Sequence, residues 1–206
     1  MNSTLKLLGS LFVIFLFFLA ACASTKLTGV YKDRNYAGGY LKSVMIVGVS
    51  DNPKKRRLFE DTFAEQFKKT GIEAFSGVVV IPEGKKLNKE TLKGAAENLG
   101  AETVLVTHLV GIEEKEIYVP PSYDYMSSRH DRLGTYYYSV HQYTQTPGYY
   151  IDHKYVRLES NLYETKTEKL IWSASSETLD PKSVNALIES LCKKVMKSLK
   201  TNNLIK

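Results

Sequence analysis

SVMIVGVS, residues 43–50, decides the fold. It is too short and too rich in β-branched residues for a helix, so it predicts a buried strand. Asp51-Asn52-Pro53 follows, and proline suits the first position of a helix capped by Asn52 or Asp51. Phe59, Phe63 and Phe67 then recur at i, i+4 and i+8, which draws one apolar stripe along a helix over 53–69. Gly71 is placed to end that helix. Residues 72–81 predict a second strand, with Val78-Val79-Val80-Ile81 as its surest part. Pro82-Glu83-Gly84 turns the chain. Asn88 caps a second helix to Leu99, with Leu92, Ala95, Ala96 and Leu99 on one face and Gly100 as its stop. TVLVTHLVGI at 103–112 is a third buried strand. Strand, helix, strand, helix, strand requires two crossovers, and right-handed crossovers give a parallel sheet of order 2-1-3. The fold class is therefore α/β, a βαβαβ parallel core.

Beyond residue 153 the pattern changes. Val156, Leu158, Ser160 and Leu162 alternate with Arg157, Glu159, Asn161 and Tyr163, a half-exposed strand over 154–164. Residues 165–168 turn, and 169–177, carrying Trp172, run back as the second arm of an antiparallel hairpin. Asp180-Pro181 predicts the start of a capping helix over 181–200. Its core stripe is Val184, Leu187, Ile188, Leu191, Val195 and Leu199, with Cys192 at the edge.

At the other end, Lys6 precedes an apolar run over 11–21 that closes on Leu19-Ala20-Ala21-Cys22. A charged start, an apolar middle and a small-residue cleavage site describe an export signal. The run is short of the roughly 20 apolar residues of a membrane span. Residues 1–21 are expected to be a signal peptide, and 22–42 a tether ahead of a single domain over 43–206. With Cys22 acylated, only Cys192 remains, so no intramolecular disulfide is expected. The alternatives are an uncleaved anchor helix, or a secreted protein in which Cys22 is incidental.

The net charge is +6. Part of the excess lies near the C-terminus, where Lys182, Lys193, Lys194, Lys197, Lys200 and Lys206 face only Glu189. Export argues against a nucleic-acid partner. A basic face suits anionic headgroups or the acidic groups of cell-wall polymer, or is simply a solvated helix face.

Residues 113–152 hold nine of the 14 tyrosines, with Pro120, Pro121 and Pro147 and no persistent periodicity. A segment of this length without secondary structure is uncommon and usually functional or mobile. Tyr123, Tyr125, Tyr136, Tyr137, Tyr138, Tyr143, Tyr149 and Tyr150 are the candidate partner-binding residues, because tyrosine offers large contact area at low entropic cost. The alternative is that they cover the sheet.

Arg56 and Arg57 stand in the first turn of the first helix, where cations oppose the helix dipole. Two readings follow. They pair with Glu60 and Asp61 at i, i+4, or they receive an anion at the carboxyl edge of the parallel sheet. His130, His141 and His153, with Asp131 and Asp152, have spacings that match no compact metal motif, so no metal is expected. His108 reads as a hydrogen-bonded core residue. Glu113, Glu114 and Glu116 read as exposed acids rather than a catalytic pair. No G-x-S-x-G motif and no recognisable Cys/His pair is present. No catalytic residue and no cofactor is expected.

Leu-Ala-Ala-Cys at 19–22 resembles the lipobox of bacterial lipoproteins. That resemblance implies cleavage before Cys22 and acylation of its sulfur and amino terminus. Ala23 is not the aspartate typical of inner-membrane retention in enteric bacteria, which implies the outer membrane. Three stretches carry a second resemblance: VMIVGVS at 44–50, RRLFEDTFAEQFKKTGIEA at 56–74 and LGAETVLVTHL at 99–109. With the element order, they are similar to a domain-of-unknown-function family of outer-membrane lipoproteins. The order βαβαβ, then hairpin, then helix, on a lipobox tether, also resembles a set of bacterial envelope lipoproteins that includes the N-terminal domain of the Tol translocation protein, the curli secretion lipoprotein and the lipoprotein activator of penicillin-binding proteins. The resemblance implies fold and location, and carries no catalytic residues. The expectation is a lipid-anchored, periplasmic, non-enzymatic binding or accessory module. Its expected partners are the membrane and an envelope protein or cell-wall polymer. An accessory subunit of a secretion, transport or cell-wall synthesis complex, or a metal- or glycan-binding lipoprotein, is the alternative.

Overall fold

The computed structural model describes residues 24–81, 84–85, 87–123 and 145–206. The chain divides into two compact units. One runs to Ile112 and resumes over Tyr155–Lys206, and the other is Glu113–Lys154.

The elements in chain order are β1 (Ser24–Lys32), β2 (Ser43–Val49), α1 (Pro53–Lys69), β3 (Glu73–Ser76), α2 (Lys89–Leu99) and β4 (Thr103–Val119). They continue as β5 (Ser122–Tyr123), β6 (Gln145–Thr146), β7 (Tyr149–Glu164), β8 (Leu170–Leu179) and α3 (Val184–Thr201). The main sheet has the order β1-β8-β7-β4-β2-β3. Strand β2 pairs in parallel with β3 and β4, while β8 pairs antiparallel with both β7 and β1. The three parallel strands thus lie in the expected order, extended by an antiparallel hairpin.

Side-chain alternation along β2 explains the layers. Val44 and Ile46 point into a core with Phe59, Phe63 and Phe67 of α1 and Leu191, Val195 and Leu199 of α3. Met45 and Val47 point the other way, against Ala95 and Ala96 of α2. A period of two therefore splits one strand between two cores. Each wholly buried large apolar side chain contributes about 1.5–3 kcal/mol. Trp172 lies in the first of these clusters, and its Nε1 has no hydrogen-bond partner.

The structure corrects several expectations. Residues 24–32, assigned to a tether, form β1. This strand is an edge, with Thr25 alone buried among its described side chains and a bulge between Leu27 and Gly29, so no apolar pattern announces it. It is held by its ladder to β8 and by a Thr25–Thr178 hydroxyl bond of 2.7 Å.

The second strand is shorter than the expected 72–81. It ends at Ser76, and Gly77–Val79 is a 3₁₀ turn with Val79 76% exposed. Apolar composition there serves no strand, because the Val78 N–H donates to a buried carboxylate of α1 rather than to a ladder.

The capping helix begins at Val184, with Ser183 rather than Asp180-Pro181 as its cap. The Ser183 hydroxyl accepts from the Ala186 N–H at 3.1 Å.

In the second unit, segments expected to lack secondary structure are strand. The distal part of β4 reaches Val119, β7 begins at Tyr149, and β5 and β6 form a small antiparallel pair. Lys154 pairs with Glu114 at 3.3 Å, and the Tyr118 and Tyr150 rings are 5.0 Å apart. Most of the described side chains there are exposed on both faces, so no core pattern marks the ladder in the sequence.

Candidate functional site

The first unit carries a cleft at the carboxyl edge of its parallel strands. It is lined by Val49, Ser50 and Asp51 after β2, by Pro53 and Arg56 of α1, and by Gly84, Lys85 and Leu87 after β3; its volume is about 410 Å³. This is where open α/β sheets take ligands. The chain leaves β2 over one face with α1 and crosses back over the other with α2.

Helix α1 opens into this cleft. The Asn52 side chain accepts from the Lys55 N–H at 3.1 Å, and Pro53 fills the first helical position, where no N–H is needed. The first turn contains no acidic residue, so no side-chain carboxylate on α1 answers the positive end of the helix dipole there.

Arg56 and Glu60 are both buried, at 5% and 0% exposure. Glu60 occupies a core position on the phenylalanine stripe, three residues before Phe63 and seven before Phe67. One of its oxygens accepts from Arg56 Nε at 2.8 Å and from the Gly48 N–H at 3.0 Å. The other accepts from the Val78 N–H at 2.6 Å and the Ser76 hydroxyl at 3.2 Å. This carboxylate therefore ties together β2, α1 and the turn after β3. Gly77 is required beside it, because a Cβ there would sit 2.9 Å from the Ile46 carbonyl oxygen.

The guanidinium is less well served. Glu60 engages it through Nε, and Nη2 is buried without a hydrogen-bond partner. An arginine commonly meets its partner through two parallel N–H groups. Here one side of the fork is committed, and the side chain also borders the cleft.

The sequence reading placed Arg56 and Arg57 together. The structure separates them: Arg56 is buried in the network, while Arg57 is exposed. The Arg56–Glu60 pairing stands, but no ion pair joins Arg57 to Asp61 among the described residues. Sequence reasoning missed Lys85, Asp51 and the structural role of Glu60. The available signal was Glu60 itself, a carboxylate on an apolar stripe.

Among the tyrosines, Tyr149 and Tyr150 are exposed, as is Tyr118. Tyr123 lies in β5. Tyr125, Tyr136, Tyr137, Tyr138 and Tyr143 lie outside the described residues, as do Cys22, His130, Asp131 and His141. His108 is half-buried on β4, opposite Val49 in the ladder. Among the described residues no three His, Cys, Asp or Glu side chains gather as a metal site, and no helix is long and apolar enough to cross a membrane.

No family model matches the chain. No curated protein matches it. Among solved structures it is similar to the PelC dodecamer from Paraburkholderia phytofirmans, at 14% identity over 84% of this chain and 95% of that one, with a TM-score of 0.44. It is also similar to lipoprotein GNA1162 from Neisseria meningitidis, at 15% identity over 78% and 99% of the two chains, with a TM-score of 0.42.

Proposed function

We infer that this protein is a lipid-anchored accessory module of the bacterial envelope, held through Cys22 and acting by binding rather than catalysis. The observation that carries the reading is the sequence at 11–22, a short apolar run ending in Leu19-Ala20-Ala21-Cys22. Acylation at more than one position would make attachment stable, since one chain alone binds membranes only marginally.

The working surface in this reading is the tyrosine-rich segment 119–152, and its partner an envelope protein or cell-wall polymer. Exposure of Tyr149 and Tyr150 supports an outward-facing aromatic surface over a cover for the sheet. The outer membrane is the proposed location, on the strength of Ala23.

Metabolic labelling with a fatty acid tests the anchor. Incorporation is expected in the wild type and lost in Cys22→Ser; equal labelling of both defeats the reading. Crosslinking from membranes, with residues 119–152 replaced by a short Gly/Ser link, tests the surface. Loss of capture with a cooperative fold retained is expected. Capture that survives the deletion moves the working surface elsewhere.

A further inference from the structure

We propose that the outward face of α3, centred on Lys193, Lys197 and Lys200, binds a linear acidic glycan through charge. Charge is segregated between the two faces of the sheet. Helices α1 and α3 pack into one core on the same face, and together hold ten Lys or Arg against four Asp or Glu. Helix α2, on the other face, holds two of each. The excess in the α1 and α3 layer equals the net charge of the whole chain, +6. Lys193, Lys197 and Lys200 follow one another at i, i+4 and i+7, opposite the buried Leu191, Val195 and Leu199. All three are exposed, and Lys194 flanks them. Among the described residues none of these four lysines has an ion-pair partner. Glu189, the only acid on the helix, accepts instead from Asn185 Nδ2 at 2.9 Å. The helix dipole does not explain the stripe, because its effect is confined to the last turn, where only Lys200 stands. Like charges at these spacings repel one another. The stripe is therefore unfavourable to the helix by itself, and a bound polyanion relieves it.

The form of the surface selects the ligand. The outward side of a helix is convex and encloses nothing, so a small anion is not held there. Lysines present point charges on flexible stems, without the fork by which arginine grips one defined carboxylate or phosphate. From Lys193 to Lys200 the stripe is about 10 Å long, which suits repeated charges on an extended chain. Helix α3 contains no aromatic residue and no arginine. Protein interfaces are anchored mainly on such side chains, and single-stranded nucleic acid stacks its bases on aromatic rings. A glycan bearing repeated carboxylates needs neither.

A bilayer is the competing polyanion, and two features disfavour it. The apolar side of α3 is committed to the core, so none remains to enter a membrane as an interfacial helix does. The second feature is position. Helix α3 follows β8, whose Leu179 lies opposite Ser24, and at its far end the Asn202 carbonyl accepts from Lys32 Nζ at 2.6 Å. It therefore runs alongside β1 in the same direction. Lys193 stands about 13 Å along the axis from Val184, beyond the Debye length of about 8–10 Å. The outward face of α3 also lies a helix diameter, about 10–12 Å, from the sheet. Cys22 is two residues from Ser24, a reach of at most about 7 Å. A lipid on Cys22 thus cannot lay the lysine face flat on its own bilayer. This positional step rests on the anchor proposed above, whereas the lysine surface depends neither on that anchor nor on the tyrosine-rich segment.

The test uses the full chain in uncharged maltoside detergent, with ¹⁵N-labelled lysine. Titration with polygalacturonate should shift the Lys193, Lys194, Lys197 and Lys200 amides saturably, and the shifts should weaken as sodium chloride is raised. Neutral dextran should leave them in place. Lys193→Gln, Lys197→Gln and Lys200→Gln together should weaken binding by about tenfold or more. Lys42→Gln, Lys166→Gln and Lys169→Gln remove the same charge from exposed positions elsewhere and should change it by no more than about twofold. Equal weakening by the two triple variants means attraction by net charge alone and overturns the site, as does binding that survives the first. The first variant should unfold at a urea midpoint no lower than wild type, since it removes like-charge repulsion; a clearly lower midpoint would show that the lysines serve the fold instead. Phosphatidylglycerol vesicles that bind more tightly than polygalacturonate at equal anion concentration overturn the glycan assignment in favour of a bilayer. Fatty-acid labelling of Cys22 reports the anchor separately, so a failed anchor and a failed surface give different results.

Discussion

Helix α1 contains two ion pairs with the same i, i+4 spacing and opposite surroundings. Near its end, Glu65 meets Lys69 at 2.7 Å, with the side chains 67% and 58% exposed. Near its start, Arg56 meets Glu60 at 2.8 Å, with the side chains 6% and 0% exposed. The exposed pair has the favourable order, acid before base, and its lysine sits by the negative end of the helix dipole. The buried pair has the reverse order and a cation by the positive end. On helix electrostatics alone, the second pair is the poorer one. It exists because Glu60 also accepts from Gly48, Ser76 and Val78, so the carboxylate organises three segments rather than one helix. The lesson is that identical spacing fixes contact but not consequence: burial and the number of further partners do.

Glu60→Gln, leaving Arg56 buried without a counter-charge, should destabilise the fold by about 3–5 kcal/mol. Urea denaturation compared with Glu65→Gln is the direct measurement, and equal midpoints would break the comparison. The double variant Arg56→Met with Glu60→Gln should recover part of the loss, because no lone charge remains inside.

Next in size is Gly77→Ala. Its Cβ would press on the Ile46 carbonyl oxygen and approach Glu60 Oε2 at 3.4 Å. A cost of about 1–3 kcal/mol is expected, read from the same unfolding curves. A neutral result would show that the turn after β3 can move and that Glu60 does not pin it.

Ser183→Ala removes the cap of α3 and should cost about 1 kcal/mol, measured as a lowered urea midpoint. It serves as a scale for one ordinary local hydrogen bond.

Glu65→Gln should be the smallest effect. The hydrogen bond from Lys69, and then its charge, lower the Glu65 pKa below its ordinary value. A carboxyl with a lowered folded pKa stabilises above its unfolded pKa and loses that contribution as pH falls through the folded value. The small gap between wild type and Glu65→Gln should therefore close in acid and shrink in salt. A gap that grows on acidification would contradict the exposed-pair picture.

Legibility in the sequence followed the same division between core and rim. Strand β2, with Val44, Met45, Ile46 and Val47 all buried, was readable because both faces demand apolar side chains. The helix from Pro53 announced itself by its cap and its phenylalanines. Strand β1 was not readable, since an edge lying mostly open to solvent imposes almost no pattern on STKLTGVYK. The run Val78–Ile81 misled for the converse reason. Its apolar side chains have the composition of a strand, while the Val78 N–H donates to the Glu60 carboxylate. For the candidate site, Arg56 and its partner Glu60 were visible as an i, i+4 pair. The unpartnered Nη2 and the contribution of Lys85 depend on how distant loops meet, and local spacing does not encode that.

The edge strand β1 has a mechanical consequence. Its ladder to β8 runs from Ser24 to Lys32, with the Asp33 N–H bonded to the Ile171 carbonyl just beyond it. Tension applied at Cys22, along the strand and away from the sheet, would load these bonds in parallel as a shear lap joint. Peeling from the Lys32 end would instead break them one at a time. Lys32 Nζ on the Asn202 carbonyl, at 2.6 Å, clasps that far end to the tail of α3. A domain moored by its first residues would thus carry load along the stiffer direction of its outermost strand, with the weak direction latched.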